Sequence, residues 1–425
     1  MSSRTPKRGR QEPMPSHAVA ALLRRPGFTR YFATVAAVRA TGTMFSVAGV
    51  LLILQRTHDL TLAGVVIAAA TLPGAITGPF LGGWLDVTAS RRRLLVLDRL
   101  ATALALAAVL LLAGHAPNWL LPLAALLYGI TAPLSAGAFS AVLPEVAGPQ
   151  LIGVANAFEG ASFNAAFIVG PALAGLIAGV AGPAAAIDVQ LFSGLALAVL
   201  IAGDATFELR PPNDDGAPRG VLQAVREGLT AMWRIVPLRW NTVIDCFYVF
   251  AWGTLFVGFP AYAVSVGARA HASGYMWAAI SAGSMIGGFA PSSRTRVLSP
   301  RLLLGGCFLA MAGSAAAWPL ASSLPVALGL VFLTGLLDGP ALVGLITIRQ
   351  GLAPAHLRAQ IFTTAASVHS VFLAAGPAAA GLIHAAFGTT ATLLAFVVLI
   401  AVAAAVSLRT QSGVAHVPAT NAIVP

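Results

Sequence analysis

Apolar runs, each long enough to cross a bilayer as a helix, dominate this 425-residue sequence. They fall at about 31–54, 62–85, 94–114, 118–141, 153–179, 184–203, 240–264, 274–291, 302–319, 325–348, 360–386 and 390–408. A crossing takes roughly 20 residues of helix. Inside lipid every backbone N–H and C=O must be paired within its own segment, so runs of this length predict helices. Charged residues make up 9% of the chain, where a soluble domain carries about a quarter. Too few charges are present to cover a water-facing surface. The expectation is an all-α membrane protein with twelve transmembrane helices.

The net charge of +11 would suggest nucleic acid in a soluble protein, but its distribution argues otherwise. Arg4, Lys7, Arg8, Arg10, Arg24, Arg25 and Arg30 precede or open the first run, and Arg91–Arg93, Arg210, Arg219, Arg294, Arg296, Arg349 and Arg358 fall in or beside the even-numbered loops. The opposite loops hold only Arg56 and Arg269. This asymmetry is a topology signal that puts both termini in the cytoplasm of a multi-pass plasma-membrane protein, with the lipid bilayer as partner and no nucleic acid. The first run is too long for a signal peptide and contains Arg39, so it reads as a permanent span. Cys246 and Cys307 both lie within runs, and no metal-ligand spacing or cofactor motif occurs.

Residues 204–238 form the longest interior polar stretch, with Pro211, Pro212, Asp214, Asp215 and Gly216 followed by a predicted surface helix from Val221 to Trp233. The expected organisation is a basic cytoplasmic tail (1–27), an N-terminal six-helix bundle (28–203), a cytoplasmic linker (204–238), a C-terminal six-helix bundle (239–409) and a second tail (410–425). The halves repeat. GPALAGLI at 170–177 matches GPAAAGLI at 376–383 at a shift of 206, and Gly129 meets Gly335 at that shift. Gly82-Gly83 meets Gly287-Gly288, and Arg91 meets Arg296, at a shift of 205. Repeated halves suit a solute site at their interface that opens to either side as one half rocks on the other.

The second loop reads GGWLDVTASRRR, from Gly82 to Arg93. Here the chain resembles the major facilitator superfamily, whose loop between the second and third helices carries a Gly, an Asp four residues on and a basic cluster. Gly82 and Asp86 match the Gly and the Asp, and Arg91, Arg92 and Arg93 match the basic end; Val87 stands where the family usually has a basic residue, and Ala89 where it has Gly. Gly82 and Gly83 permit close helix approach. The resemblance implies a cytoplasmic latch made in one transport state and released in the other. The second copy, GGFAPSSRTR, has Pro291 in place of the Asp, so the latch is expected on the first half alone. The fifth span is similar to that of drug and metabolite efflux members, with Gly170, Pro171 and Gly175, and a second copy stands at Gly376, Pro377 and Gly381. Small residues at this spacing make a face for close packing, and each Pro removes a backbone hydrogen bond. The Arg that many proton-coupled exporters carry in the fourth span has no counterpart in LLPLAALLYGITAPLSAG.

Ionisable groups inside spans cost roughly 2.5–3.5 kcal/mol each on insertion scales, which makes them the best site candidates. Arg39 in the first span suits an anionic solute or a membrane carboxylate. Asp338, beside Gly335, Gly339 and Pro340, is a candidate proton or cation site. Asp245, Glu159 and the central His369 complete the set of substrate or coupling-ion candidates, each with the alternative of simple pairing or packing. Phe247, Tyr248, Phe250 and Trp252 crowd the seventh span and could stack on a flat solute. The resemblance implies a monomeric secondary transporter exporting small amphipathic solutes, with protons as the candidate coupling ion. Uptake of a metabolite by a symporter or facilitator is the alternative, and a non-transporting membrane sensor the alternative of another class. An enzyme is not expected: nucleotide-binding loops, nucleophile elbows and metal clusters are all missing from the sequence.

Overall fold

The computed structural model describes residues 16–87, 91–148, 150–207, 221–288, 300–354 and 358–410. Among these residues the fold is helical, with no strand. A short helix, α1 (Ser16–Leu23), precedes six long ones: α2 (Phe28–Thr57), α3 (Leu60–Val87), α4 (Arg91–Leu112), α5 (Leu120–Ala147), α6 (Ile152–Ala181) and α7 (Pro183–Gly203). The linker helix α8 (Val221–Arg234) leads to α9 (Val236–Ser265), α10 (Ser273–Gly288), α11 (Pro300–Ala316), α12 (Leu324–Leu352) and α13 (Arg358–Arg409). Nine helical stretches among the described residues are long and apolar enough to cross a membrane. That number falls below the twelve runs of the sequence for plain reasons. The last stretch counts once although α13 turns at Gly388, whose φ of 78 lies in the left-handed region. α10 has only 16 residues, and the apolar part of α5 is the shorter segment Leu120–Pro133.

The surface is turned inside out relative to a soluble protein. Val180, Leu320 and Phe387 are 83%, 82% and 76% exposed, and many other large apolar side chains join them. Patches this extensive belong against lipid. α8 differs: its apolar side, through Met232, packs with Leu238, Ile361 and Ala365, while Trp233 is exposed. It touches α3, α9 and α13, and so spans the helices before and after the linker.

Those two sets of helices meet through α3 on α13 and α6 on α10. The contacts concentrate at the end opposite the linker. There one continuous apolar cluster takes in Ile53, Ile67 and Ala174 from the first set and Phe259 and Met276 from the second. At the linker end the clusters are separate, one around Phe28, Phe139, Leu143 and Phe207, the other around Met232, Leu238 and Ile361.

The two Gly-Pro segments make equivalent contacts. Gly170 seats against Thr43 and the Ala40 carbonyl of α2, and Gly376 against Gly253 and the Phe250 carbonyl of α9. One turn and a half further on, Gly175 meets Gly274 of α10 and Gly381 meets Thr61 of α3, each across the two sets. Thr61 Oγ1 donates to the Gly381 carbonyl at 3.0 Å. A side chain at any of these positions would hold the backbones apart.

Asp204, just past α7, fastens the start of α2 through a bidentate pair, with Arg30 Nε and Nη2 each 2.7 Å from a carboxylate oxygen. Burial pushes this carboxyl up, but hydrogen bonds from Thr206 and the Arg30 guanidinium outweigh it and hold the group below the usual carboxylate range.

Two outcomes follow for stability. A β-carbon on Gly376 would lie 2.5 Å from Gly253 Cα, so Gly376→Leu is expected to cost at least about 1–3 kcal/mol by overpacking, whereas Gly306→Leu, where nothing lies within 4 Å, should leave thermal unfolding in detergent nearly unchanged. The contribution of Asp204, whose folded-state pKa is depressed, is fully present above about pH 4 and is lost as acidification protonates it. Comparing unfolding of wild type and Asp204→Asn from pH 7 downward should therefore show the two converging only at the acidic end.

Candidate functional site

Among the described residues, three buried carboxylates (Asp98, Asp245 and Asp338) and the half-buried Glu159 lie within the long helices, and all but Asp338 carry their own guanidinium. In the first set, Arg39 of α2 reaches Glu159 of α6, Nη2 to Oε1 at 2.8 Å, and also donates to the Glu159 carbonyl and to Ser162 Oγ. Two of the predicted site residues are thus partners. On α4, Asp98 is fully buried beside Arg99, whose Nη2 approaches its Oδ2 at 2.5 Å and donates to Ser135 Oγ of α5 at 2.9 Å. Ser135 in turn donates to Asp98. Neither Asp98 nor Arg99 was among the sequence candidates. The signal was available: an Asp-Arg dipeptide inside an apolar run is a self-neutralising pair. Arg99 also sets a positive charge against the uncharged fourth run.

In the second set, Asp245 of α9 accepts from Arg349 Nη2 of α12 at 2.8 Å, and His369 Nδ1 of α13 lies 3.6 Å from the same oxygen. Arg349 was expected at a loop. α12 instead continues to Leu352 and buries it to 8% exposure. The His369 side chain is 40% exposed, so one edge of this trio is open.

Asp338 is the exception. It is 3% exposed on α12, and its hydrogen-bond partners are hydroxyls: Tyr248 Oη of α9 donates to Oδ1 and Ser284 Oγ of α10 to Oδ2, both at 2.6 Å. No salt bridge involving it occurs among the described residues. Hydroxyls donate to a carboxylate and accept from the acid, so this setting tolerates either protonation state. Guanidinium groups only donate and keep their charge, so the other three carboxyls each face a fixed cation.

Aromatic rings line the same region. Tyr248 and Trp252 stand 6.1 Å apart, Trp252 and Trp277 5.9 Å, and Phe256 stacks on Trp277 at 4.9 Å. The indole N–H of Trp277 is buried without an acceptor. A buried donor left unpaired costs about 1–3 kcal/mol, so an acceptor brought to it would bind favourably. Arg39 and Asp338 are each held by partners of their own helix set.

Of the predicted latch, Gly82, Gly83 and Asp86 fall in the last turns of α3, and Arg91, Arg92 and Arg93 open α4, so the connection is shorter than expected. Arg93 is exposed. The side chains of Asp86 and Arg91 lie outside the described residues, as does Pro291.

The ion-paired groups give a direct energetic test. Arg349→Met strands the Asp245 carboxylate and should cost about 3–5 kcal/mol, the usual penalty for breaking a buried pair from one side. Asp245→Asn combined with Arg349→Met should recover most of it, measured as thermal stability in detergent. A double variant no better than the single one would show that the pair is not what Arg349 serves.

Comparison with known proteins is consistent with this architecture. The model of the Major Facilitator Superfamily matches residues 31–370. The multidrug efflux pump Tap of Mycobacterium tuberculosis (strain ATCC 25618 / H37Rv) is 29% identical over 401 residues, covering 91% of this chain and 93% of that one. The uncharacterized MFS-type transporter y4rN of Sinorhizobium fredii is 27% identical over 369 residues, covering 84% and 88%. Among solved structures, a bacterial homolog of the human lysosomal transporter Spinster superposes with a TM-score of 0.71 at 15% identity, over 96% of this chain and 100% of that one. A bacterial homologue of the iron transporter ferroportin gives 0.68 at 16% identity, over 94% and 100%. At such identities the structures show the shared fold alone. With the family model spanning most of its length, the chain belongs to the major facilitator superfamily and is a multi-pass membrane transporter of small-molecule solutes.

Proposed function

We propose that the protein exports small amphipathic compounds from the cytoplasm by alternating access, with protons as the coupling ion and Asp338 as their carrier. The observation that carries this reading is the contrast among the carboxylates held within the long helices. Asp98, Glu159 and Asp245 each have a guanidinium, while Asp338 has two hydroxyls. An isolated charge at membrane depth is costly, and a proton or a cationic solute relieves that cost. Export is favoured over uptake by the similarity to the Tap efflux pumps and by the Gly-Pro packing segment of α6. Trp277, with its unpaired indole donor, and the neighbouring Trp252 suit a flat solute bearing a hydrogen-bond acceptor.

In this reading the twelve apolar runs are twelve spans in two six-helix bundles, divided at the 204–238 linker, with both termini cytoplasmic. The linker end, where the apolar clusters are separate, is then the open cytoplasmic side of a monomeric carrier. Arg39–Glu159 and Asp245–Arg349–His369 act as charge-paired elements flanking the path, and Asp86 with Arg91–Arg93 as the cytoplasmic latch.

The test is accumulation of fluorescent amphipathic compounds in cells with and without the protein, with the proton gradient intact or collapsed. Gradient-dependent exclusion is expected, and Asp338→Asn should lower it more than about tenfold while solute binding to the purified protein persists. Undiminished gradient-dependent export by Asp338→Asn would remove Asp338 from the coupling role. Accumulation driven by the protein, instead of exclusion, would replace export with uptake.

A further inference from the structure

A groove of about 420 Å³ opens at the linker end of the second helix set, between the start of α9, the start of α11, and the ends of α12 and α13. It does not touch Asp338, Tyr248 or the aromatic cluster around Trp252. Its walls are Ile244, Leu304, Ile348 and Val406, and its rim carries Trp240 and Arg409. No acidic side chain lines it. Asn241, 3% exposed, forms part of the lining. Its Nδ2 donates to the Leu345 carbonyl at 3.3 Å, which fixes the amide orientation and leaves Oδ1 buried without a donor. A second guanidinium stands close by, since Arg239 stacks over the rings of Trp233 and Trp240 at 5.5 and 5.6 Å.

These features define a ligand chemistry. Apolar walls suit hydrocarbon, and rim guanidinium groups suit a phosphate, to which Arg can donate two parallel hydrogen bonds. The orphan acceptor of Asn241 calls for a donor on the same molecule. Trp at the rim marks the depth of the headgroup layer. We propose that this groove is a binding site for one phospholipid of the leaflet at the linker end, of the anionic class whose headgroup carries hydroxyl groups, as in phosphatidylglycerol. Its phosphate lies at Arg409 with Arg239 in support, a headgroup hydroxyl donates to Asn241 Oδ1, and an acyl chain enters between Leu304 and Val406. Basic pockets between helices at a membrane face are suited to such headgroups. Because the groove lies where α9 begins and α12 ends, the lipid would brace the helices that carry Asp245, Arg349 and Asp338.

The test is native mass spectrometry of the full chain released from micelles doped with phosphatidylglycerol or with phosphatidylcholine of identical acyl chains. One retained phosphatidylglycerol is expected, at least about fivefold preferred over phosphatidylcholine. Arg409→Ala removes the phosphate contact from an exposed helix end, and Leu304→Trp fills the groove without changing charge. Each should reduce the retained phosphatidylglycerol at least fivefold in protein that remains monodisperse. Equal retention of the two lipids, or wild-type retention in both variants, would reduce the site to ordinary annular lipid and overturn the proposal. Competition by soluble glycerol phosphate as effective as the lipid itself would overturn the assignment to a membrane lipid.

Discussion

The cost of an uncompensated charge in a medium without water organises this molecule. Hydrophobic burial cannot choose between the inside of the bundle and the lipid, since both are apolar. What distinguishes them is where polar groups find partners. Arg39 with Glu159, Asp98 with Arg99 and Ser135, and Asp245 with Arg349 each join groups within one helix set. Two of these connections tie helices distant in sequence, α2 to α6 and α9 to α12. They fix which faces turn inward, and the glycine contacts then fix how closely the helices approach.

Between the two sets the chemistry is different. The contacts across them rest on Gly175 against Gly274, Gly381 against Thr61, and apolar surface at one end of the molecule. The buried pairs Arg39–Glu159, Asp98–Arg99 and Asp245–Arg349 each stay within one set. Rigid halves with strong internal pairing, joined by small-residue and apolar contacts, can separate without stranding a charge. That is the physical requirement for a carrier whose halves rock, because breaking a buried pair at every cycle would add several kcal/mol to the barrier.

The helices themselves were legible in the sequence to within a few residues. The expected span 153–179 became α6, Ile152–Ala181, and the expected linker helix from Val221 to Trp233 became α8, Val221–Arg234. Length and hydropathy are local properties, so local reading suffices. Errors arose at helix ends and in pairing. Arg349 looked like a loop residue because the tenth run was closed at 348, yet α12 carries it inward as the partner of Asp245. Asp98 and Arg99 went unremarked because they stand about one turn into a run that opens right after Arg91–Arg93, where they read as part of the basic loop end. The partners of Asp338 were also beyond reach, since Tyr248 and Ser284 lie 90 and 54 residues away.

The sequence by itself determined the solvent and the class of fold. Those follow from composition and from run length, which no packing can alter. Only the tertiary structure decided which carboxylates are spoken for and which is not. Asp98, Asp245, Glu159 and Asp338 are alike as letters in apolar runs. Asp98 has its arginine as a chain neighbour, whereas three-dimensional proximity gave Glu159 and Asp245 theirs and gave Asp338 two hydroxyls, because pairing between helices depends on rotation and crossing, which are set by the whole bundle at once.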